Sequence, residues 1–126
     1  MEGMRPIIVR AGEGMPAPPT PGMERRTLLE RPGAWAGWVR TDPDVAGGWH
    51  HHGDHDSYIF VIQGTLHIDY GPGGGERISA SAGDFVFNPA GMVHREVTPA
   101  GEPVEAFVMR MGSGPTIVNL EGPDPA

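Results

Sequence analysis

Four of the chain's six histidines fall in one short stretch, His50-His51-His52-Gly53-Asp54-His55. In a strand, residues two apart share a face and stand about 6.6 Å apart along the chain. His50 and His52 can therefore aim both imidazoles at one point, while His51 must face the other way. Neutral imidazole is a good ligand for iron, manganese, nickel, copper or zinc. The plainer reading is a polar, His-rich surface loop. A second segment adds to the first: Gly83-Asp84-Phe85-Val86-Phe87-Asn88-Pro89-Ala90-Gly91-Met92-Val93-His94. Gly83-Asp84 turns the chain into a strand. Pro89, with its fixed φ, and Gly91, which tolerates positive φ, then make a sharp corner that delivers His94 to the next strand. The chain contains no cysteine, so disulfides, thiol chemistry and thiolate ligands are excluded and metal donors must come from His, Asp and Glu. No nucleophile–base pair, phosphate-cradling loop or paired carboxylates stand out.

The elements that would carry these histidines are short. Pro6–Arg10, Met23–Glu30, Trp35–Arg40, Trp49–His52, Ser57–Ile62, Thr65–Tyr70, Glu76–Ser79, Phe85–Phe87, Val93–Val97, Val104–Met111 and Thr116–Leu120 read as strands, with one helical turn the alternative for Met23–Glu30. Between them lie turn residues, most plainly Gly71-Pro-Gly-Gly-Gly75. The Pro-rich stretch 11–22 cannot form helix or central strand, because its prolines remove backbone donors. No apolar 3.6-residue period persists for ten residues. Strands at intervals of 8–12 residues predict an all-β sandwich or barrel.

With 126 residues the chain fits one domain, residues 1–126. Its core is expected over about 23–120, with an N-terminal strand and Pro/Gly-rich arm over 1–22 and a frayed tail over 121–126. Glycine (20) and proline (14) are abundant, but most separate apolar runs, which suits a protein of many corners. A net charge of −7 disfavours phosphate backbones, so no nucleic-acid partner is expected. No apolar run approaches the roughly 20 residues of a membrane span, and the N-terminus lacks an apolar leader core; the expectation is a cytoplasmic protein without a membrane partner.

Together the two histidine segments resemble the two motifs of the cupin superfamily. His50-x-His52 followed by Gly64 is similar to the first motif. Gly83, Pro89, Gly91 and His94 match the second, with Thr98 where that motif often has Asn. The motifs span about residues 47–98. The resemblance implies a single-domain double-stranded β-helix, or jelly-roll, holding one divalent transition metal (Fe, Mn, Ni, Cu or Zn) on His50, His52 and His94. The chain departs from the pattern at the usual Glu position, seven residues before Gly64, which holds Ser57. Three readings follow: three histidines with open positions, the same set plus Asp56, or the same set plus His55. Three histidines with open positions is the favoured reading and is the pattern of catalytic sites. Because ligating imidazoles must be neutral, metal affinity should fall below about pH 6.5.

Ser57, Met92 and Met109 are candidates for the pocket wall. Arg40, Arg95 and Arg110 can serve an acidic substrate or stand as surface charges. The resemblance further implies a small-molecule ligand or substrate and a homodimer, with Pro6–Arg10 as a strand exchanged between subunits. Three functions are weighed. One is a mononuclear metal-dependent, dioxygenase-like enzyme acting on a small organic molecule. Another is a non-catalytic ligand-binding or sensing barrel. The third is a structural barrel with no bound metal.

Overall fold

The computed structural model describes residues 5–18 and 20–125. Antiparallel strands form two sheets. They are β1 (Met15–Pro16), β2 (Met23–Arg31), β3 (Ala34–Thr41), β4 (His50–His51), β5 (Asp56–Gln63), β6 (Thr65–Tyr70), β7 (Glu76–Ser81), β8 (Phe85–Asn88), β9 (His94–Val97), β10 (Val104–Met111) and β11 (Val118–Asn119). The first sheet runs β1-β2-β3-β10-β5-β8 and the second β11-β4-β9-β6-β7. No α-helix occurs among the described residues, and none of their helices is long and apolar enough to cross a membrane. The all-β jelly-roll expectation is met.

Alternation along the strands builds the interior. Ile59 and Val61 of β5, Leu66 and Ile68 of β6, Ala80 of β7, Val86 of β8, and Val104, Ala106 and Val108 of β10 form one buried cluster between the sheets. Burying each of the larger aliphatic side chains stabilises the fold by about 1.5–3 kcal/mol. The same alternation continues past the apolar cluster. The inward row of β5 reads Val61, Ile59, Ser57, and that of β10 reads Val104, Ala106, Val108, Arg110. The interior is therefore apolar at one end and polar at the other.

Two glycines are required by close approach. A Cβ on Gly64 would collide with the Pro103 carbonyl, and Gly64 also has a φ of 82°. A Cβ on Gly37 would collide with the Trp35 indole, which lies across the Gly37 backbone and packs against the core. The Trp35 ring is held there by its Nε1–H, which donates to Thr27 Oγ1 at 3.1 Å.

The N-terminus differs from expectation. Pro6–Arg10 is not a strand; it is an exposed arm. A strand needs a neighbour for its backbone groups, and no described strand pairs with this segment. Met15–Pro16 pairs instead with Thr27 and Arg26, at the sheet edge where proline is tolerated.

Candidate metal centre

His50 and His94 are direct cross-strand partners on β4 and β9, so their side chains leave the sheet on one face. His52 lies just past β4 and returns to that face. The three rings converge, with centroids 4.9 Å apart for His50–His52, 4.4 Å for His50–His94 and 5.2 Å for His52–His94. Glu96, two residues beyond His94 on β9, completes the group. One donor atom from each of the four residues lies within 4.8 Å of all the others.

The ring orientations are fixed from behind. His50 Nδ1 contacts the Gly48 carbonyl at 2.9 Å, His52 Nδ1 the Thr116 carbonyl at 2.7 Å, and His94 Nδ1 the Met92 carbonyl at 3.0 Å. A carbonyl only accepts, so each Nδ1 carries the proton and donates it. The lone pair of a neutral ring is then on Nε2. Backbone carbonyls in this role are the usual means of setting the tautomer of a metal-ligating histidine. Three such nitrogens with one carboxylate suit the first-row divalent ions better than magnesium or calcium, which prefer all-oxygen sites.

Electrostatics keep two of the rings neutral and the carboxylate charged, while the third ring shares a proton with that carboxylate. Burial lowers the pKa of His50, against the opposing charge of Glu96. Burial, with the Arg110 charge next in weight, lowers His52 to about 3. Both rings are therefore neutral at pH 7. Burial also works to lower His94, but the hydrogen bond and charge of Glu96 outweigh it and the net shift is upward. Glu96 Oε1 stands 3.2 Å from His94 Nε2, and Oε2 stands 3.6 Å from His50 Nε2. Burial would raise the Glu96 carboxyl, yet His94 and the neighbouring histidines hold it well below the usual carboxylate range. The fourth group is thus an ionised carboxylate.

A cavity opens from this cluster into the barrel. Its wall includes His50, His52, Glu96, Ser57, Arg110 and the apolar side chains Ile59, Val104 and Val108. Met23, Arg25 and Ile117, all at least partly exposed, belong to the same wall.

The other sequence candidates fall in distinct places. Ser57 is on the cavity wall and is buried. Asp56 turns away from the histidines; its Oδ1 accepts from the Ala90 amide at 2.9 Å and pins the Pro89–Gly91 corner. His55 is buried with Nδ1 at 3.2 Å from the His52 carbonyl, outside the cluster. His51 faces away, and its Nδ1 accepts from the Gly53 amide. Met92 packs against the apolar core rather than on the cavity wall. Met109 stands half-exposed on the outer face, because β10 turns Val108 and Arg110 inward. Thr98, at the usual Asn position, accepts from the Val45 amide and donates to the Asp42 carbonyl, so it ties the β3–β4 connection to the end of β9.

Sequence reasoning missed Glu96 and Arg25. The signal for Glu96 was present: strand parity places it on the face of His94, as it places His52 with His50. Arg25 becomes visible only through register, as the cross-strand partner of Val39, which shares the cavity wall.

The chain matches the Cupin domain family over residues 37–110. Among solved structures it is similar to KdgF from Halomonas sp., with 22% identity over 86% of this chain and 96% of that one and a TM-score of 0.70. It is also similar to a predicted oxalate decarboxylase from Thermotoga maritima, with 18% identity over 85% and 100% of the two chains and a TM-score of 0.73. The polyketide cyclase RemF from Streptomyces resistomycificus gives 20% identity over 93% and 86%, with a TM-score of 0.69. At these identities the likeness shows the fold alone. No curated protein matches the sequence. The family match covers more than half of the chain and includes both histidine segments, and the chain belongs to the cupin family.

Proposed function

We propose that this cupin is a mononuclear metal-dependent enzyme that holds one divalent transition ion on His50, His52, His94 and Glu96 and acts on a small organic molecule, in the manner of a dioxygenase. The observation that carries this reading is the set of three Nδ1–carbonyl hydrogen bonds, which leaves Nε2 as the ring atom available to ligate an ion on each histidine, once His94 gives up the Nε2 proton it shares with the Glu96 carboxylate. A bound ion would supply Lewis acidity and coordination positions for a substrate. The chain's own residues do the remainder. The histidines and Glu96 fix the ion at the polar end of the barrel. Ile59, Val104 and Val108 exclude water around the apolar part of a bound molecule.

Elemental analysis of the purified protein tests the site. About one equivalent of iron, manganese, nickel, copper or zinc is expected, falling by at least about ten-fold in His94→Ala and in Glu96→Gln. Metal at the wild-type level in both His50→Ala and His94→Ala would refute the centre. Aerobic and anaerobic turnover screens of the metal-loaded protein against diketones, phenols, thiols and organic acids then separate an enzyme from a barrel that only binds.

The reading includes a homodimer. Phe107, Phe60 and Phe85 are cross-strand partners in one row across β10, β5 and β8, and each is exposed on the outer face. Tyr58 and Phe87 extend the patch, with their rings 5.4 Å apart. A contiguous aromatic face of this kind suits association with a second copy.

A further inference from the structure

Among the described residues, three buried side-chain polar atoms have no hydrogen-bond partner: Ser57 Oγ, Asn88 Nδ2 and Arg110 Nε. They are not scattered. Ser57 is the cross-strand partner of Asn88 on one side and of Arg110 on the other. The three therefore form one row across β8, β5 and β10, on the face turned into the barrel. Native interiors leave few polar groups unpaired. Three in a single row, in residues of which Ser57 and Arg110 line the cavity shared with His50, His52 and Glu96, are not accounted for by folding.

The chemistry of the row is one-sided. An arginine Nε and an amide Nδ2 only donate, and a serine hydroxyl can donate. The group that satisfies all three must be an acceptor. Charge narrows the choice further. The protein carries a net charge of −7, yet its cavity presents Arg25 and Arg110 against the single carboxylate of Glu96. Among the described residues no carboxylate lies within ion-pair distance of Arg110. Its guanidinium rests instead on the Trp35 ring, 4.7 Å from the centroid. Burial lowers its pKa to about 10, which still leaves it charged at pH 7. A divalent ion beside it would add positive charge. The rest of the wall is largely aliphatic, which suits an organic molecule better than an inorganic anion.

We propose that Arg110 and Ser57, flanked by Asn88, bind the carboxylate of a small organic acid whose remaining part lies against the aliphatic wall beside the His–Glu group. This deepens the metal-enzyme reading and rests on it for where the rest of the acid reacts; the donor row itself stands without the metal. A guanidinium offers its Nε–H and one terminal N–H as a fork that matches both oxygens of a carboxylate, and the serine hydroxyl supplies a third donor.

The test is calorimetric titration of malonate, succinate and benzoate, each beside its neutral amide, into metal-loaded and metal-free protein. At least one acid is expected to bind saturably, and its amide at least about ten-fold more weakly. Arg110→Gln should weaken the acid by about ten-fold or more, and Ser57→Ala by about three- to ten-fold, with metal content and unfolding midpoint unchanged. Acids and amides that bind alike, an absence of saturable binding by any of the acids, or wild-type affinity in Arg110→Gln would overturn the assignment. Should Arg110→Gln not fold, Arg110→Lys keeps the charge but loses the fork, and wild-type affinity there and in Ser57→Ala overturns it equally. Protein that holds no metal would sink the metal reading alone, because the acid-against-amide contrast is still measured on the metal-free form.

Discussion

Two arginines in this molecule lie over tryptophan rings at nearly the same distance, Arg95 on Trp49 at 4.9 Å and Arg110 on Trp35 at 4.7 Å. They differ in what completes them. On the outer face of the second sheet, Arg95 Nε donates to Asp69 Oδ2 at 3.0 Å, and Arg77 donates to both oxygens of the same carboxylate at 2.6 and 3.1 Å. Asp69 is the cross-strand partner of both arginines, so the clamp fixes the register of β7, β6 and β9. Arg95 itself sits between His94 and Glu96 on β9, and locking it outward holds those two inward. Inside the barrel, Arg110 has the same aromatic support, and its Nε is unpaired. A cation on a ring is thus used twice, once closed by a carboxylate from the chain and once left open toward a cavity. The closed pair serves the fold. The open one costs stability, offset in part by the more distant charge of Glu96, and suits a ligand that brings a carboxylate within reach.

The largest effect should come from removing the support under the open pair. Gly37→Ala places a methyl group where the Trp35 indole lies, and the ring must move from beneath Arg110. Overpacking of this kind costs about 1–3 kcal/mol, and the upper end is expected because the obstacle is a rigid ring. Thermal unfolding would show the loss, and acid binding should fall with it. Wild-type stability in this variant would mean that Trp35 is not seated as described.

Replacing each arginine by methionine sharpens the contrast. Arg95→Met removes one of the two partners of a buried carboxylate and should destabilise by about 1–2 kcal/mol in denaturant unfolding, since Arg77 remains. Arg110→Met removes a buried charge that no carboxylate pairs with directly, only the more distant Glu96 acting on it, and should be neutral or stabilising by up to about 1 kcal/mol. Equal destabilisation by the two substitutions would erase the distinction between a closed and an open pair.

How much of this was legible in the sequence depends on the range of each signal. His50, His52 and His94 were readable because strand parity and a Pro–Gly corner are local, and the jelly-roll followed from short apolar runs separated by turns. The same parity rule, applied one step beyond His94, reaches Glu96. The family's usual carboxylate position points upstream instead, to Ser57, Asp56 and His55. Pro6–Arg10 reads as a strand by composition, but strand formation depends on a partner, which a local window does not contain. Arg110 is the plainest case of a nonlocal signal. Its sequence context, Met109-Arg110-Met111, fits a surface charge, and only its register with Ser57 and Trp35 shows that it turns inward.

The effect that depends on pH lies in the acid limb of stability. The Arg77 hydrogen bond, the strongest influence, acts with that of Arg95 to outweigh burial and hold the Asp69 carboxyl below the usual carboxylate range. Its folded-state pKa is then lower than the value of about 3.9 for an unfolded chain. The clamp's contribution is complete above about pH 5 and drains away as pH falls through the folded-state pKa. Asp69→Asn never carries that charge. Its deficit against the wild type, about 1–2 kcal/mol at pH 7, should hold steady from pH 8 to about pH 5 and shrink toward pH 3. Unfolding midpoints of the two proteins across that range read the difference directly, and the other carboxylates, Glu96 included, cancel between them. A deficit unchanged at pH 3, or one that shrinks as pH rises, would show that Asp69 is not the charge that closes the outer pair.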